Sequence, residues 1–183
     1  MHCWRTINIK REYRVNRLLM YGIIIFILVF SFSFITFGRN HPSNLNDDLF
    51  WLFVLLSLLL YPFHKYIHYF SLFSYRNSVK LRFSYEFKFI PILHLRIKKV
   101  IPKNRYIFTL IAPFIFVNTL LVIVAIALPQ YSHYTCLLLG FHCGICLVDL
   151  LHVKYLIPAP NNAVIEETPK GYEILVPSSI SEN

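Results

Sequence analysis

Glycine is scarce in this chain, with five residues in 183 and no glycine-rich run. A loop whose backbone amides cradle phosphate is therefore excluded. Acidic residues are also few, nine against eighteen Lys and Arg, and no glutamate lies inside any long apolar run. The four cysteines make no disulfide framework, because Cys136, Cys143 and Cys146 share one apolar run while Cys3 lies near the first residue. Cys143 and Cys146 form a C-x-x-C without a second such pair, which reads as packing more readily than as a zinc ribbon or redox pair. No nucleophile triad stands out. Charged residues amount to only 15% while apolar residues reach 56% and aromatics 17%. That much apolar surface is covered by lipid, not by a soluble core.

Four runs carry this hydrophobicity, at about 18–37, 49–71, 106–128 and 134–157. Each is near the 20 residues that span a hydrocarbon layer of roughly 30 Å. The first is too long for the apolar region of a cleaved signal peptide, so an uncleaved span is expected. The reading is one membrane domain over 1–183, a mostly α protein of four transmembrane helices. Pro62 lies inside the second span, where it should kink the helix or free backbone carbonyls just before the histidines, and Pro113 lies in the first third of the third span. The turn-rich stretch 38–48 and the short link 129–133 join the spans on one side.

The formal charge of +9 is carried by two segments flanking apolar runs, which is a topology signal and not a groove for nucleic acid. Residues 1–17 hold Arg5, Lys10, Arg11, Arg14 and Arg17 against Glu12. The segment 76–105 holds Arg76, Lys80, Arg82, Lys88, Arg96, Lys98, Lys99, Lys103 and Arg105 against Glu86. The joining loops between spans offer only Arg39 with Asp47 and Asp48. A multi-pass protein of the cell membrane with both termini in the cytoplasm follows from the positive-inside rule, with anionic lipid as a partner of the basic surface.

Within 76–105, Val79, Leu81, Phe83, Tyr85, Phe87 and Phe89 alternate with polar residues, and Leu93, Leu95 and Ile97 do the same after Pro91. Period two predicts a hairpin in a cytoplasmic β segment, its apolar face against the membrane or the helices. In the tail 158–183, residues 163–167 and 172–176 predict a second hairpin, available to extend the first.

The chemistry-bearing residues sit in spans two and four. His64 and His68, in HKYIH, are four residues apart and project from one helix face, the spacing at which two imidazoles hold one metal ion. Asp149 is the sole acid in any span, and a carboxylate there calls for a partner, a proton or a cation. Spans two and four run in the same direction, and the three residues fall at similar depth. Tyr61, His64 and His68 belong to one polar stripe, and His142, Cys146, Asp149 and His152 to another.

With these residues in view, the chain resembles a family of small bacterial membrane proteins described as zincin peptidases, related to the site-2-type intramembrane metalloproteases. The resemblance rests on CWRTINIKREY, HKYIH, the basic β segment, LPQYSHY and GICLVDLL. It implies zinc as cofactor with His64, His68 and Asp149 as ligands, and a peptide substrate adding to a β edge. One departure stands out: zincins carry a glutamate directly after the first histidine as general base, and here that position is Lys65. Lysine is an ammonium at neutral pH and cannot accept the proton of metal-bound water.

Other readings stay open at this level. The two histidines can be an interfacial pair bonded to Tyr61, Ser71 or lipid phosphates, and Asp149 can pair with Lys65, His68 or His152. Lys65 favours a non-catalytic binding or regulatory protein that engages other membrane proteins. A divergent zinc metallopeptidase and a small transporter component are the alternatives.

Overall fold

The computed structural model describes residues 1–40, 45–73, 79–87, 90–97, 100–168 and 171–177. In chain order the elements are β1 (His2–Ile7), α1 (Ile9–Tyr13), α2 (Val15–Asn40), α3 (Phe50–Ser71), β2 (Val79–Phe87), β3 (Ile90–Ile97), β4 (Ile101–Pro102), α4 (Lys103–Ala127), a 3-10 turn (Pro129–Tyr131), α5 (Ser132–Leu156), β5 (Val164–Thr168) and β6 (Gly171–Val176). The chain is mostly helical. Four helices, α2 to α5, are long and apolar enough to cross a membrane. Such runs become helices because a helix satisfies its own backbone polar groups where water is absent.

The helices are not equivalent. Half of the α5 window is buried inside the protein against 6% of the α2 window, so α5 is the central helix. It packs on α2 along one side and on α4 along another, with α3 lying against α4. The contact with α2 depends on absent side chains. A Cβ added at Gly140 would sit 2.8 Å from the Phe26 carbonyl oxygen, and one at Gly144 would sit 3.1 Å from that of Gly22. These glycines let two backbones approach, as small residues do in lipid-embedded helix pairs.

One end of the bundle is closed by two connections held together. Asn46 N donates to the Gln130 carbonyl at 3.1 Å, and the Tyr131 hydroxyl donates to Asp48 Oδ2 at 3.1 Å. The other end carries a four-stranded antiparallel sheet of order β1-β6-β5-β4. In β6 the inward positions Tyr172, Ile174 and Val176 alternate with partly exposed ones. With Ile7, Ile101 and Ile165 they pack on Tyr106, Leu110, Val153 and Leu156 at the ends of α4 and α5.

The predicted tail hairpin is present but does not extend the earlier one. Its β6 pairs with β1 at the chain's start, and its β5 pairs with β4. The expected first hairpin is a separate two-stranded sheet, β2 against β3, with Lys80 opposite Arg96 and Leu81 opposite Leu95. Which of its faces is apolar lies outside the described residues, as does the segment 178–183.

Two details of the sheet end went unread in the sequence. Residues 2–7 look like a basic flank because their strand character depends on a partner some 170 residues away in the chain. Lys103 looks like one more surface charge of the basic segment. Instead it begins α4, is 5% exposed, and its ammonium donates to the carbonyl of Ile157 at 2.9 Å and to that of Ala159. It caps the C-terminal end of α5, where carbonyls lack helical donors and the helix dipole favours a cation.

Candidate metal centre

His64 and His68 occupy successive turns of α3 and face inward, 0% and 4% exposed. Asp149 meets them from α5 at 7% exposure. Its Oδ2 lies 3.0 Å from His64 Nε2 and 3.4 Å from His68 Nε2, while the two Nε2 atoms are 3.1 Å apart. Three donor atoms thus form a nearly equilateral triangle. Tetrahedral zinc with bonds of about 2.0–2.1 Å separates its nitrogen and oxygen ligands by about 3.3 Å. The triangle has the right size.

The outer hydrogen bonds decide which atoms carry lone pairs. His68 Nδ1 is 2.8 Å from the Thr109 carbonyl oxygen; a carbonyl only accepts, so Nδ1 carries the proton and Nε2 of a neutral ring is left bare. His142 Nδ1 lies 2.7 Å from Asn118 Oδ1, which makes it a donor and its Nε2 an acceptor. That Nε2 is 3.2 Å from His64 Nδ1. With the proton on His64 Nδ1 the chain of donors runs unbroken to Asn118, and His64 Nε2 is bare too. Two bare nitrogens and a carboxylate oxygen then converge within 3.4 Å. Lone pairs so placed repel one another unless a cation or proton lies among them. Metal-binding histidines are held by this kind of outer contact.

The Thr109 carbonyl is free for a reason written in the sequence. In a helix it would accept from the N–H of residue 113, which is proline. Pro113, inside α4, releases the acceptor that orients His68.

A second group adjoins the first. His64 Nδ1, His142 Nε2 and Cys146 Sγ are mutually within 3.8 Å, all three residues being 0% exposed. Both triads, His64/His68/Asp149 and His64/His142/Cys146, could hold a metal ion among the described residues.

A model of the family described as "putative zincin peptidase" matches residues 57–164, more than half of the chain. The chain belongs to that family. No curated protein and no solved structure matches it. The matched zincin segment runs from the middle of α3 through the sheet hairpin and α4 to the start of β5, so it contains both triads.

The remaining expected residues are placed elsewhere. Lys65, at the position where zincins carry their glutamate, has its ammonium 5.8 Å from the centre of the Tyr61 ring. Among the described residues the ion pairs of Asp149 are with the two histidines, not with Lys65. Tyr61 thus has the Lys65 ammonium beside its ring. His152, one turn beyond Asp149, packs its ring 4.6 Å from that of Tyr172 in the sheet, and neither triad includes it. Asn118 is a polar residue of the third apolar run. Its partnership with His142, and its amide donating to Cys143 Sγ at 3.4 Å, depend on how α4 rotates against α5.

Proposed function

We propose that this is a membrane-embedded zinc-binding protein of the zincin-peptidase family that holds its metal without hydrolysing peptides. The observation that carries the reading is the convergence of His64 Nε2, His68 Nε2 and Asp149 Oδ2 at 3.0–3.4 Å, the spacing of three ligands on one ion. His64, His68 and Asp149 are the ligands. Zinc bound there supplies a Lewis acid able to activate water or polarise a carbonyl.

Hydrolysis needs in addition a group that takes the proton of the attacking water and returns it to the leaving nitrogen. Helices α3, α4 and α5 contain one carboxylate, Asp149, and it is committed as a ligand. Lys65 brings a cation instead of a base and directs it toward Tyr61. The role that remains is binding or regulation of other membrane proteins, with a peptide added at a β edge as one mode of engagement. The charge bias supports an orientation in the cell membrane with both sheets and both termini in the cytoplasm, and a single membrane domain over 1–183.

The test is zinc stoichiometry in detergent-purified protein. One zinc per chain, lost in His64→Ala, is expected; absence of zinc from correctly folded wild-type protein overturns the proposal. If zinc is present, peptide hydrolysis by the unaltered chain would instead establish the divergent metallopeptidase, for which Lys65→Glu is the reference variant.

A further inference from the structure

Lys65 is a cation inside a membrane span, and no anion of the bundle answers it. Among the described residues its ammonium takes part in no ion pair; what it meets is the Tyr61 ring, centred 5.8 Å away. A lysine toward the end of a lipid-embedded helix ordinarily stretches its stem to the headgroups. Lys65 is held the other way. Tyr61 lies one turn back toward the N-terminus, at the middle of α3, so the ammonium points away from the sheet end of the bundle and deeper into the span. A charge at that depth calls for a counter-charge.

The cation stands beside the metal ligands. Lys65 directly follows His64, and its field acts on His64, Asp149 and His152. His64, His68 and Asp149 supply three ligands, and a tetrahedral ion then keeps a fourth position open. Two neutral imidazoles and one carboxylate leave a divalent ion still positive, and Lys65 adds to that excess. No other carboxylate of α3, α4 or α5 can offset it, because Asp149 is the sole one they contain. Around the axis of α3, Lys65 also falls on the seam between two faces. His64 and His68 are buried on one side, while Tyr66 and Phe63 on the other are 59% and 41% exposed. The centre is therefore approached along an apolar surface.

We propose that Lys65 and the open metal position together bind a single carboxylate carried on an apolar chain from the bilayer, such as a fatty acid. This deepens the zinc-binding reading above and rests on it. A carboxylate suits the pair of cations because it offers two acceptor oxygens, one for the ion and one for the ammonium. It also brings one negative charge only, so its transfer out of water costs less than that of a phosphate dianion. Its apolar chain lies along the exposed Tyr66 and Phe63 side of α3. The residue that stands in the place of a general base thus becomes the anchor of an anion.

Full-length protein in non-ionic detergent, loaded with cobalt(II), reports the fourth ligand through its visible absorption. Sodium laurate added to wild type is expected to change that spectrum saturably. Lys65→Met should need at least about 10-fold more laurate, the loss of one charge-assisted hydrogen bond, and Lys65→Arg should stay close to wild type. Without laurate, Lys65→Met should hold cobalt more tightly than wild type, because a like charge has gone; loss of a merely structural lysine would not produce that gain. Lys65→Gln replaces Lys65→Met if the latter does not fold. Laurate bound equally by wild type and Lys65→Met, or a cobalt-loaded wild type whose spectrum laurate leaves unchanged, overturns this proposal and leaves the metal site standing. Acetate bound as tightly as laurate overturns the bilayer as the source of the carboxylate. Folded wild type that takes up no cobalt removes the reading on which the proposal rests.

Discussion

Replacing Pro113 by alanine should move stability and metal affinity in opposite directions. The substitution restores an N–H at position 113, four residues after Thr109, whose carbonyl oxygen now receives the His68 Nδ1 proton at 2.8 Å. A proline inside a helix costs about 3 kcal/mol relative to alanine. Pro113 is among the fully buried side chains, and loss of the packing contacts of two ring methylenes offsets part of that gain. The net expectation is stabilisation by less than about 3 kcal/mol. The new amide competes for the Thr109 oxygen, so the bond that keeps His68 Nε2 bare weakens. Loss of an outer-shell partner lowers metal affinity by about 10–100-fold, and a carbonyl that still has a second lone pair places this case near the lower figure, ~10-fold. Thermal unfolding of the metal-free protein and competition against a chromophoric zinc chelator, both in the same detergent, read the two effects. Unchanged zinc affinity alongside raised stability would show that the freed carbonyl does not orient His68, and the tautomer argument would fail.

The same chelator competition should rank the other arm: His142→Phe, which removes the direct acceptor of His64 Nδ1, is expected to weaken zinc about 100-fold, and Asn118→Leu, one bond further out, about 10-fold. Equal loss in both, or none, would refute the relay. Gly140→Ala drives a Cβ toward the Phe26 carbonyl 2.8 Å away and should destabilise by about 1–3 kcal/mol, visible as a lower unfolding temperature; Gly144→Ala should cost less. Lys103→Met removes two charge-assisted bonds to the Ile157 and Ala159 carbonyls, each worth about 1.5–3 kcal/mol, and the same measurement should show a larger loss than Lys154→Met at a surface position. Gly171→Val places a Cβ against the Ile7 carbonyl at a residue with φ of 139°, so hydrogen exchange in β1 should accelerate selectively.

The four long helices were legible in the sequence because lipid leaves the backbone no alternative, and an apolar run of some 20 residues states its own length and conformation. The β2–β3 hairpin was legible from strict alternation, and the His64–His68 pair from a spacing that one helix turn converts directly into proximity. Asp149 was picked out because an acid in such a run demands a partner. Tertiary structure alone decided what these residues meet. Rotation of α5 against α3 sends Asp149 to the His Nε2 atoms while Lys65 turns to Tyr61, and it sets His142 and Cys146 on the other edge of the His64 ring but leaves His152 with Tyr172. The pairing of β1 with β6 joins the two ends of the chain, and no local pattern encodes a partner that distant. Local periodicity fixes which elements form; the rotation of each helix about its axis is an outcome of packing over the whole bundle, and for this centre that rotation selects the donor atoms.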